Sequence, residues 1–148
     1  MIYLDSSALV KLALSEAQSP ALTAWLADRE DEAIVSSALH RTEVLRAIWL
    51  AEPGALTRGV RLIRRVGRVA LSTEVLDNAA TLPPQQLGPS DAIHLASALA
   101  VRRDLSAFVA YDKRLLDAAR EAGLPLPVPP QPGSAALHGC AYHACCVL

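Results

Sequence analysis

Cysteine is absent from almost the whole chain. Its three cysteines lie within the last nine of the 148 residues, and this placement excludes a disulfide framework and thiol catalysis from the body of the protein. No apolar run approaches the ~20 residues that a membrane-spanning helix needs, so we expect no membrane association. The first residues, MIYLDSSALVKLAL, lack a basic leader and reach an acid at Asp5. They do not resemble a secretory signal, and we therefore expect a soluble, cytoplasmic protein.

Neither sign of charge is in excess. The chain has 14 basic and 15 acidic residues, for a net charge of −1, which gives no overall attraction to nucleic acid or to an anionic membrane. Arginine nevertheless clusters in one predicted helix over residues 58–68, at Arg58, Arg61, Arg64, Arg65 and Arg68. Spacings of three and four place most of these side chains on one helix face. Arginine suits phosphate, so this face either follows an RNA backbone, docks a protein partner or is simply solvated.

The end of the chain differs in composition from the rest. From Leu124 the sequence reads LPLPVPPQPGS, a proline-rich stretch typical of a linker. We therefore predict one domain over residues 1–128, followed by a linker and tail over 129–148. The tail combines cysteine with histidine, which suggests zinc, and ends in CCVL, which has the form of a prenylation signal. No second ligand pair lies in the body, and we interpret the tail as an extension, natural or artificial, without a role in the activity.

Short β-type runs alternate with longer helical patterns along the body of the chain. Strands are predicted at residues 2–4, 33–37, 69–72, 107–111 and 126–128. Helices are predicted from residue 7, over 19–29, 38–51, 58–68 and 112–121, from residue 73 to Pro83, and from Pro89 to residue 101. In helix 38–51 the predicted buried side includes Val44, Ile48 and Trp49. Such alternation predicts a three-layer α/β/α domain with a central parallel sheet.

Four acidic residues are candidates for a ligand site: two directly follow predicted strands, and two lie in predicted helices among apolar neighbours. Asp5 and Asp112 each come directly after a predicted strand, at the carboxyl end where open α/β sheets place their sites. Glu43 lies in the middle of helix 38–51, and Asp91 lies in the first turn of the helix that begins at Pro89. A single acid of this kind is usually a helix cap. Four carboxylates that lie close together repel one another unless a cation is present. Because carboxylate oxygens are suitable ligands for Mg²⁺ or Mn²⁺, the four acids indicate a site for one of these ions.

Four blocks of sequence resemble the PIN-domain ribonucleases, and most closely the VapC-type toxins of bacterial toxin–antitoxin pairs. The blocks read IYLDSSALVKL, SSALHRTEVLRA, LGPSDAIHLASAL and FVAYDKRLLDAAREAGL, in this order, over residues 1–128. The resemblance implies a PIN-like fold and a Mg²⁺- or Mn²⁺-dependent endoribonuclease whose acidic quartet is Asp5, Glu43, Asp91 and Asp112. It also implies an RNA substrate, a homodimer and a cognate VapB-type antitoxin. The tail after Pro129 has no counterpart in the family pattern.

The four acids divide the work in the expected reaction. Asp5 and Asp91 hold the divalent ion, and Glu43 and Asp112 assist directly or through water. The ion lowers the pKa of a bound water and neutralises charge that builds on the scissile phosphate. Because water is then the nucleophile, the expected product carries a 5′-phosphate.

Three further residues are candidates for supporting roles. Ser6 is expected to orient Asp5 or a metal-bound water, or else to cap the helix that follows. Arg41 lies two residues before one of the acids and is expected to contact RNA phosphate or the antitoxin, or to form a surface ion pair. His94 lies one turn after the third acid and is either a general acid or, as we favour, a partly buried hydrogen-bonding residue of the helix.

Two other α/β classes and one non-catalytic function are the alternatives. A phosphoacceptor receiver domain needs two adjacent acids after its first strand and a lysine after a late strand, whereas Asp5 is followed by serines and the only lysines are Lys11 and Lys113. A phosphatase with an aspartyl nucleophile needs a second aspartate two residues later, where this chain has Ser7. A non-catalytic RNA-binding module explains the arginines but not the four acids.

Overall fold

A four-stranded parallel sheet forms the centre of the molecule. The computed structural model describes residues 1–127. The strands are β1 (Ile2–Leu4), β2 (Ile34–Ser37), β3 (Gly67–Val69) and β4 (Ala107–Val109). They pair in the order β3-β2-β1-β4, and every pair is parallel. The predicted parallel sheet is therefore confirmed.

Helices connect the strands and cover both faces of the sheet. They are α1 (Ser6–Ala13), α2 (Ser19–Ala27), α3 (His40–Ala51), α4 (Leu56–Ile63), α5 (Thr73–Thr81), α6 (Pro89–Ala100) and α7 (Lys113–Glu121), with short 3₁₀ turns at Pro53–Ala55 and Arg102–Asp104. None of the helices in residues 1–127 combines the length and the apolar character that crossing a bilayer requires. The predicted domain boundary at 128–129 and the tail lie outside the described residues.

The core divides into two apolar clusters, one on each face of the sheet. Alternate residues of a strand point to opposite faces, so Ile2 and Leu4 belong to the cluster beneath α1, α3 and α4, whereas Tyr3 belongs to the cluster beneath α6 and α7. All three side chains of β1 are fully buried, as expected for a central strand covered on both sides. The predicted three-layer α/β/α architecture is confirmed.

The arginine-rich segment does not form the single helix that the sequence predicts. Helix α4 ends at Ile63, the chain turns, and β3 begins at Gly67, two residues before the predicted strand. The buried Val66 anchors this turn. A Cβ on Gly67 would lie 3.1 Å from Val35 Cγ1, so the absence of a side chain there permits the close pairing with β2. Arg68 consequently lies on an edge strand rather than on the helix face.

Several other boundaries also differ from the sequence predictions. Helix α3 begins at His40 rather than at residue 38, which places Glu43 in its first turn rather than in its middle. Trp49, predicted to be buried, is 61% exposed. The predicted strand 107–111 ends at Val109. The predicted strand 126–128 does not form in its described part, residues 126–127. Just before it, Pro125 O accepts a hydrogen bond from Phe108 N of β4 at 2.7 Å.

Candidate active site

Asp5 lies at the carboxyl end of the central strand and caps the helix that follows. Its Oδ1 accepts hydrogen bonds from Ala8 N at 3.0 Å and from Ser7 Oγ at 2.7 Å, and Asp5 is the N-cap of α1. Ser7 Oγ in turn accepts from Tyr111 N at 2.9 Å. The same serine therefore ties Asp5 to the segment that leaves β4, the neighbouring strand.

Asp112 occupies the equivalent position after β4. It is the N-cap of α7, and its Oδ1 accepts from Leu115 N at 3.0 Å. Because β1 and β4 are parallel neighbours, their carboxyl ends meet at one edge of the sheet. This topology brings the first and last of the four candidate acids to the same edge.

The other two acids come from the first turns of helices. Glu43 belongs to α3, and its Oε2 accepts from Ser6 Oγ at 2.5 Å and from His94 Nε2 at 2.9 Å. Asp91 belongs to α6, which begins at Pro89 and has Gly88 as its N-cap. Acidic side chains in a first turn are favoured by the helix dipole, so the local structure tolerates both charges.

All four acids line one open cleft of about 490 Å³. The structure thus brings together the complete quartet that the sequence singled out, from four separate elements. Ser6 and His94 line the same cleft, and within residues 1–127 Lys11 is the one lysine or arginine among its lining residues. Glu16, which pairs with Lys11, is a fifth acid that lines the cleft.

The ionisation of these acids reflects their crowding. Burial raises the pKa of Asp5, although hydrogen bonds from Ser7 and Ala8 partly oppose the change. Burial also raises the pKa of Asp91, and the negative charges of Asp112 and Glu43 raise it further. In contrast, the hydrogen bond from His94 lowers the pKa of Glu43. The cleft therefore holds negative charge at a cost that a bound cation would relieve.

The donor set fits a hard divalent cation. Asp5, Asp112 and Glu43 each have one carboxylate oxygen held by protein donors, which fixes the carboxylate and leaves its second oxygen for a ligand. Oxygen-only ligands suit Mg²⁺ and Mn²⁺ rather than zinc. Within residues 1–127, no three His, Cys, Asp or Glu side chains are close enough together to hold an ion as they stand.

The supporting residues differ in part from their predicted roles. Ser6 does not contact Asp5 or cap α1; its hydroxyl donates to Glu43, while Ser7, which sequence reasoning did not assign to the site, holds Asp5. Arg41 is exposed, and the ion pairs of residues 1–127 do not include it. Both ring nitrogens of His94 have hydrogen-bond partners, as the favoured interpretation predicts, but at 2% exposure the residue is more completely buried than expected.

Lys11 is a second site residue that the sequence analysis missed. It lies on α1 one turn after Ser7, its Nζ pairs with Glu16 at 2.5 Å, and it sits 4.8 Å from the centre of the Tyr111 ring. The spacing of four residues from Ser7 was the available signal, because it places both on one helix face. Lys11 gives the acidic cleft one positive group that can meet phosphate.

The sequence of this chain matches one protein family and is similar to several named ribonucleases. The PIN domain profile matches residues 2–121. The ribonuclease VapC47 of Mycobacterium tuberculosis (strain CDC 1551) is 40% identical over 126 residues, covering 83% of this chain and 93% of that protein. The ribonuclease VapC46 of strain H37Rv is 42% identical over 128 residues, covering 86% and 97% respectively.

A solved structure shows the same fold. The crystal structure of M. tuberculosis VapC20, a toxin described as cleaving the sarcin–ricin loop, superposes with a TM-score of 0.63 and covers 80% of this chain and 95% of that one. The two sequences are 15% identical, so this likeness supports the three-layer fold and nothing more specific.

Proposed function

The chain belongs to the PIN-domain family and, within it, to the VapC ribonucleases, and from this premise we propose that it is a metal-dependent endoribonuclease, the toxin of a toxin–antitoxin pair. It hydrolyses RNA phosphodiester bonds with water as the nucleophile. One observation carries the proposal: four acids from four separate elements line one cleft, and the pKa of Asp91 is raised in part by the charges of two others.

The acids supply the ligands for Mg²⁺ or Mn²⁺. Asp5 and Asp91 would hold the ion, and Glu43 and Asp112 would assist directly or through water. When bound, the ion would activate water as the nucleophile and offset charge on the scissile phosphate. The protein's own contribution is to hold the ligands in place. Ser7 fixes Asp5, and the first turn of α7 fixes Asp112 through Leu115 N.

Positive groups must bring RNA to a cleft that would otherwise repel it. Lys11 is the basic residue inside the cleft, and Arg41 is an exposed residue of α3, the helix that carries Glu43. We assign both to contacts with RNA phosphate. The exposed side chains of Arg61 and Arg65, at the end of α4 and in the turn that follows, extend the basic surface despite the interrupted helix.

The family also indicates the partners and setting. We propose a homodimer that is held inactive by a cognate VapB-type antitoxin and that acts in the cytoplasm, where RNA is available. Residues 1–128 form the catalytic unit in this proposal, which agrees with the extent of the family match over residues 2–121. The tail over 129–148 takes no part in the chemistry.

Mapping of RNA 5′ ends after brief expression in cells tests the proposal. Wild-type protein should generate new ends that carry 5′-phosphate and should arrest growth, whereas Asp5→Asn should do neither while accumulating to the same level. The asparagine keeps the oxygen that caps α1, so the control differs in charge and not in fold. Equal numbers of new ends with the variant would contradict the proposal, and RNA binding without cleavage would favour a non-catalytic RNA-binding module.

A further inference from the structure

A buried chain of side chains connects the core strand β1 with the acidic cleft. Tyr3 is fully buried, and its hydroxyl lies 3.0 Å from Nδ1 of His94. Nε2 of the same imidazole lies 2.9 Å from Oε2 of Glu43. The histidine thus stands between a core tyrosine and one of the four acids, and it does so with almost no contact with solvent.

The chemistry of the partners fixes the direction of each hydrogen bond. An ionised carboxylate only accepts, so Nε2 must carry a hydrogen and donate it to Glu43. The Tyr3 oxygen already accepts from the main-chain N–H of Ser37, at 2.9 Å, and its own hydrogen is therefore available for Nδ1. The backbone of β2 in this way selects the histidine tautomer that serves Glu43.

Aromatic packing also restrains the side chains of Tyr3 and His94. The ring of Tyr3 stacks on Phe108, with centroids 5.3 Å apart and planes 17° from parallel. It meets the imidazole of His94 edge to face, at 6.1 Å and 87°. Neither ring can turn without disturbing the core of the sheet. The imidazole is therefore held rigidly relative to the strands from which Asp5 and Asp112 emerge.

The rigidly held imidazole of His94 determines which oxygen of the Glu43 carboxylate is free of hydrogen bonds from the protein. Ser6 Oγ and His94 Nε2 both donate to Oε2, which leaves Oε1 as the oxygen available to an ion. The hydrogen bond from His94 is also the main cause of the lowered pKa of Glu43, with smaller contributions from Ser6 and Ser90. His94 comes from α6, the helix that carries Asp91, so the contact also sets the distance between two acids.

We propose that His94 is a positioning residue for RNA cleavage: backed by Tyr3, it fixes the Glu43 carboxylate so that a single oxygen, Oε1, faces the ion. This inference rests on the proposed function, because it concerns how Glu43 serves the metal site. It assigns His94 no contact with RNA and no proton transfer to the leaving group. A histidine that merely fills the core would have no effect on the ion, and this difference can be measured.

Three variants test whether the hydrogen bond from His94 to Glu43, rather than the packing of the imidazole ring, supports metal binding. His94→Leu removes the donor to Glu43, His94→Gln places an amide N–H at a similar reach, and Tyr3→Phe keeps the imidazole but removes the group that fixes it. For each, calorimetry gives the Mn²⁺ affinity, and cleavage of an RNA that the wild-type protein cuts gives kcat and KM.

Loss of the donor should reduce both Mn²⁺ affinity and kcat about 10- to 100-fold. The KM for RNA should stay within about twofold, because the substrate contacts are unchanged. His94→Gln should recover most of the loss, to within about fivefold of wild type, and Tyr3→Phe should fall between. Wild-type values in both His94→Leu and Tyr3→Phe would overturn the inference. If His94→Leu does not fold, Tyr3→Phe decides by the same criterion.

Two controls exclude a general effect on the fold. Leu95→Ala truncates the next residue of α6, also fully buried, without touching Glu43. At a temperature where every variant is folded, it should keep wild-type Mn²⁺ affinity, and a loss as large as that of His94→Leu would overturn the inference. In a Glu43→Ala background, His94→Leu should cause no additional loss of affinity, since it acts through Glu43. A full additional loss would show that it acts elsewhere.

The same measurements distinguish failure of the inference from failure of the proposed function. Absence of RNA cleavage by wild-type protein saturated with Mn²⁺ would overturn the proposed function. The Mn²⁺ affinities of the variants would still support or overturn the role of His94, because calorimetry needs no turnover.

Discussion

Replacement of Asp5 by asparagine should leave the metal-free fold at least as stable as that of the wild-type protein. The asparagine oxygen can accept the same two hydrogen bonds that Asp5 Oδ1 accepts, from Ser7 Oγ at 2.7 Å and from Ala8 N at 3.0 Å. The amide also removes the cost of ionising a carboxyl whose pKa is raised by burial. Asp5 is 5% exposed, so solvent offsets little of this cost.

A second substitution, Asp5→Ala, distinguishes the effect of the Asp5 charge on stability from the effect of its helix-capping hydrogen bonds. Asp5→Ala removes the charge as Asp5→Asn does, but it also removes both hydrogen bonds. Loss of the N-cap bond from Ala8 N costs about 1 kcal/mol, and the half-buried Ser7 hydroxyl, left without its acceptor, costs about 1 kcal/mol more. We therefore expect Asp5→Ala to be less stable than Asp5→Asn by about 2 kcal/mol, or about 6 °C in Tm for a domain of this size.

Urea and thermal unfolding in EDTA, repeated at increasing Mn²⁺, measure both effects. The wild-type protein should gain about 2.7 kcal/mol when free Mn²⁺ reaches 100 times Kd, whereas neither variant of Asp5 should gain a comparable amount. Equal stability of the two variants in EDTA would refute the capping argument. A gain with Mn²⁺ in Asp5→Asn as large as in the wild type would refute the assignment of Asp5 to the ion.

Substitutions elsewhere test other parts of the structure. Asp91→Asn tests the raised pKa of Asp91. In EDTA, the free energy of unfolding of the wild type minus that of Asp91→Asn should fall as the pH rises above 3.8, the ordinary pKa of aspartate. The reason is that a carboxyl with a raised pKa holds its proton more tightly in the folded state than in the unfolded state. A difference that stays constant from about pH 4 to 8 would contradict this. Charge reversal at Arg61 and Arg65 should weaken RNA binding and reduce the slope of its salt dependence by about one to two units, with Mn²⁺ affinity unchanged. Normal cleavage combined with loss of antitoxin binding would assign this face to the antitoxin instead. Gly59→Ala should lower the free energy of unfolding in urea by up to about 2 kcal/mol, because its Cβ would overlap Ile48 Cδ1 and this overpacking outweighs the gain of about 1 kcal/mol of alanine over glycine in a helix. An unchanged midpoint would show that the end of Ile48 moves aside freely.

The positions of three of the four acids could be predicted from sequence because each of these three follows a local signal. Asp5 and Asp112 come after short apolar strands, and a parallel sheet brings the ends of such strands to one edge. Asp91 follows Pro89, which begins a helix. Glu43 had the weakest signal, since nothing in its own segment shows that α3 begins at His40. The sequence analysis counted it among the four because it lies in a predicted helix among apolar neighbours, and the family resemblance matched it to the acidic quartet. The structure brings it to the same cleft.

The arginine-rich segment shows where local patterns fail. The spacing of its arginines fits a helix throughout, yet α4 ends at Ile63, because Val66 is buried and Gly67 fits closely against Val35 of the neighbouring strand. Both are tertiary effects. The pattern of α3 likewise placed Trp49 on the buried side, although it is 61% exposed, since helix periodicity does not show how far the covered face extends.

The network behind Glu43 could not be found from sequence. Tyr3 has the pattern of an ordinary strand residue, and its partner His94 is 91 positions away. Their hydrogen bond exists because β1 lies beneath α6, a relation that only the assembled sheet defines. Ser7 was missed for a different reason: both serines after Asp5 suit a helix start, and only the geometry shows which one holds the acid.

RNA cleavage by purified protein, measured against Mn²⁺ concentration for the wild type and for Asp91→Asn, tests the central claim most directly. Asp91 is the acid whose pKa the neighbouring carboxylates raise, so it reports on the cluster as a whole. We predict that wild-type cleavage requires the metal, stops in EDTA and yields 5′-phosphate ends, while folded Asp91→Asn is inactive at every metal concentration. Undiminished cleavage in EDTA, or a full rate for Asp91→Asn, would contradict the assignment of these four acids to a catalytic metal site.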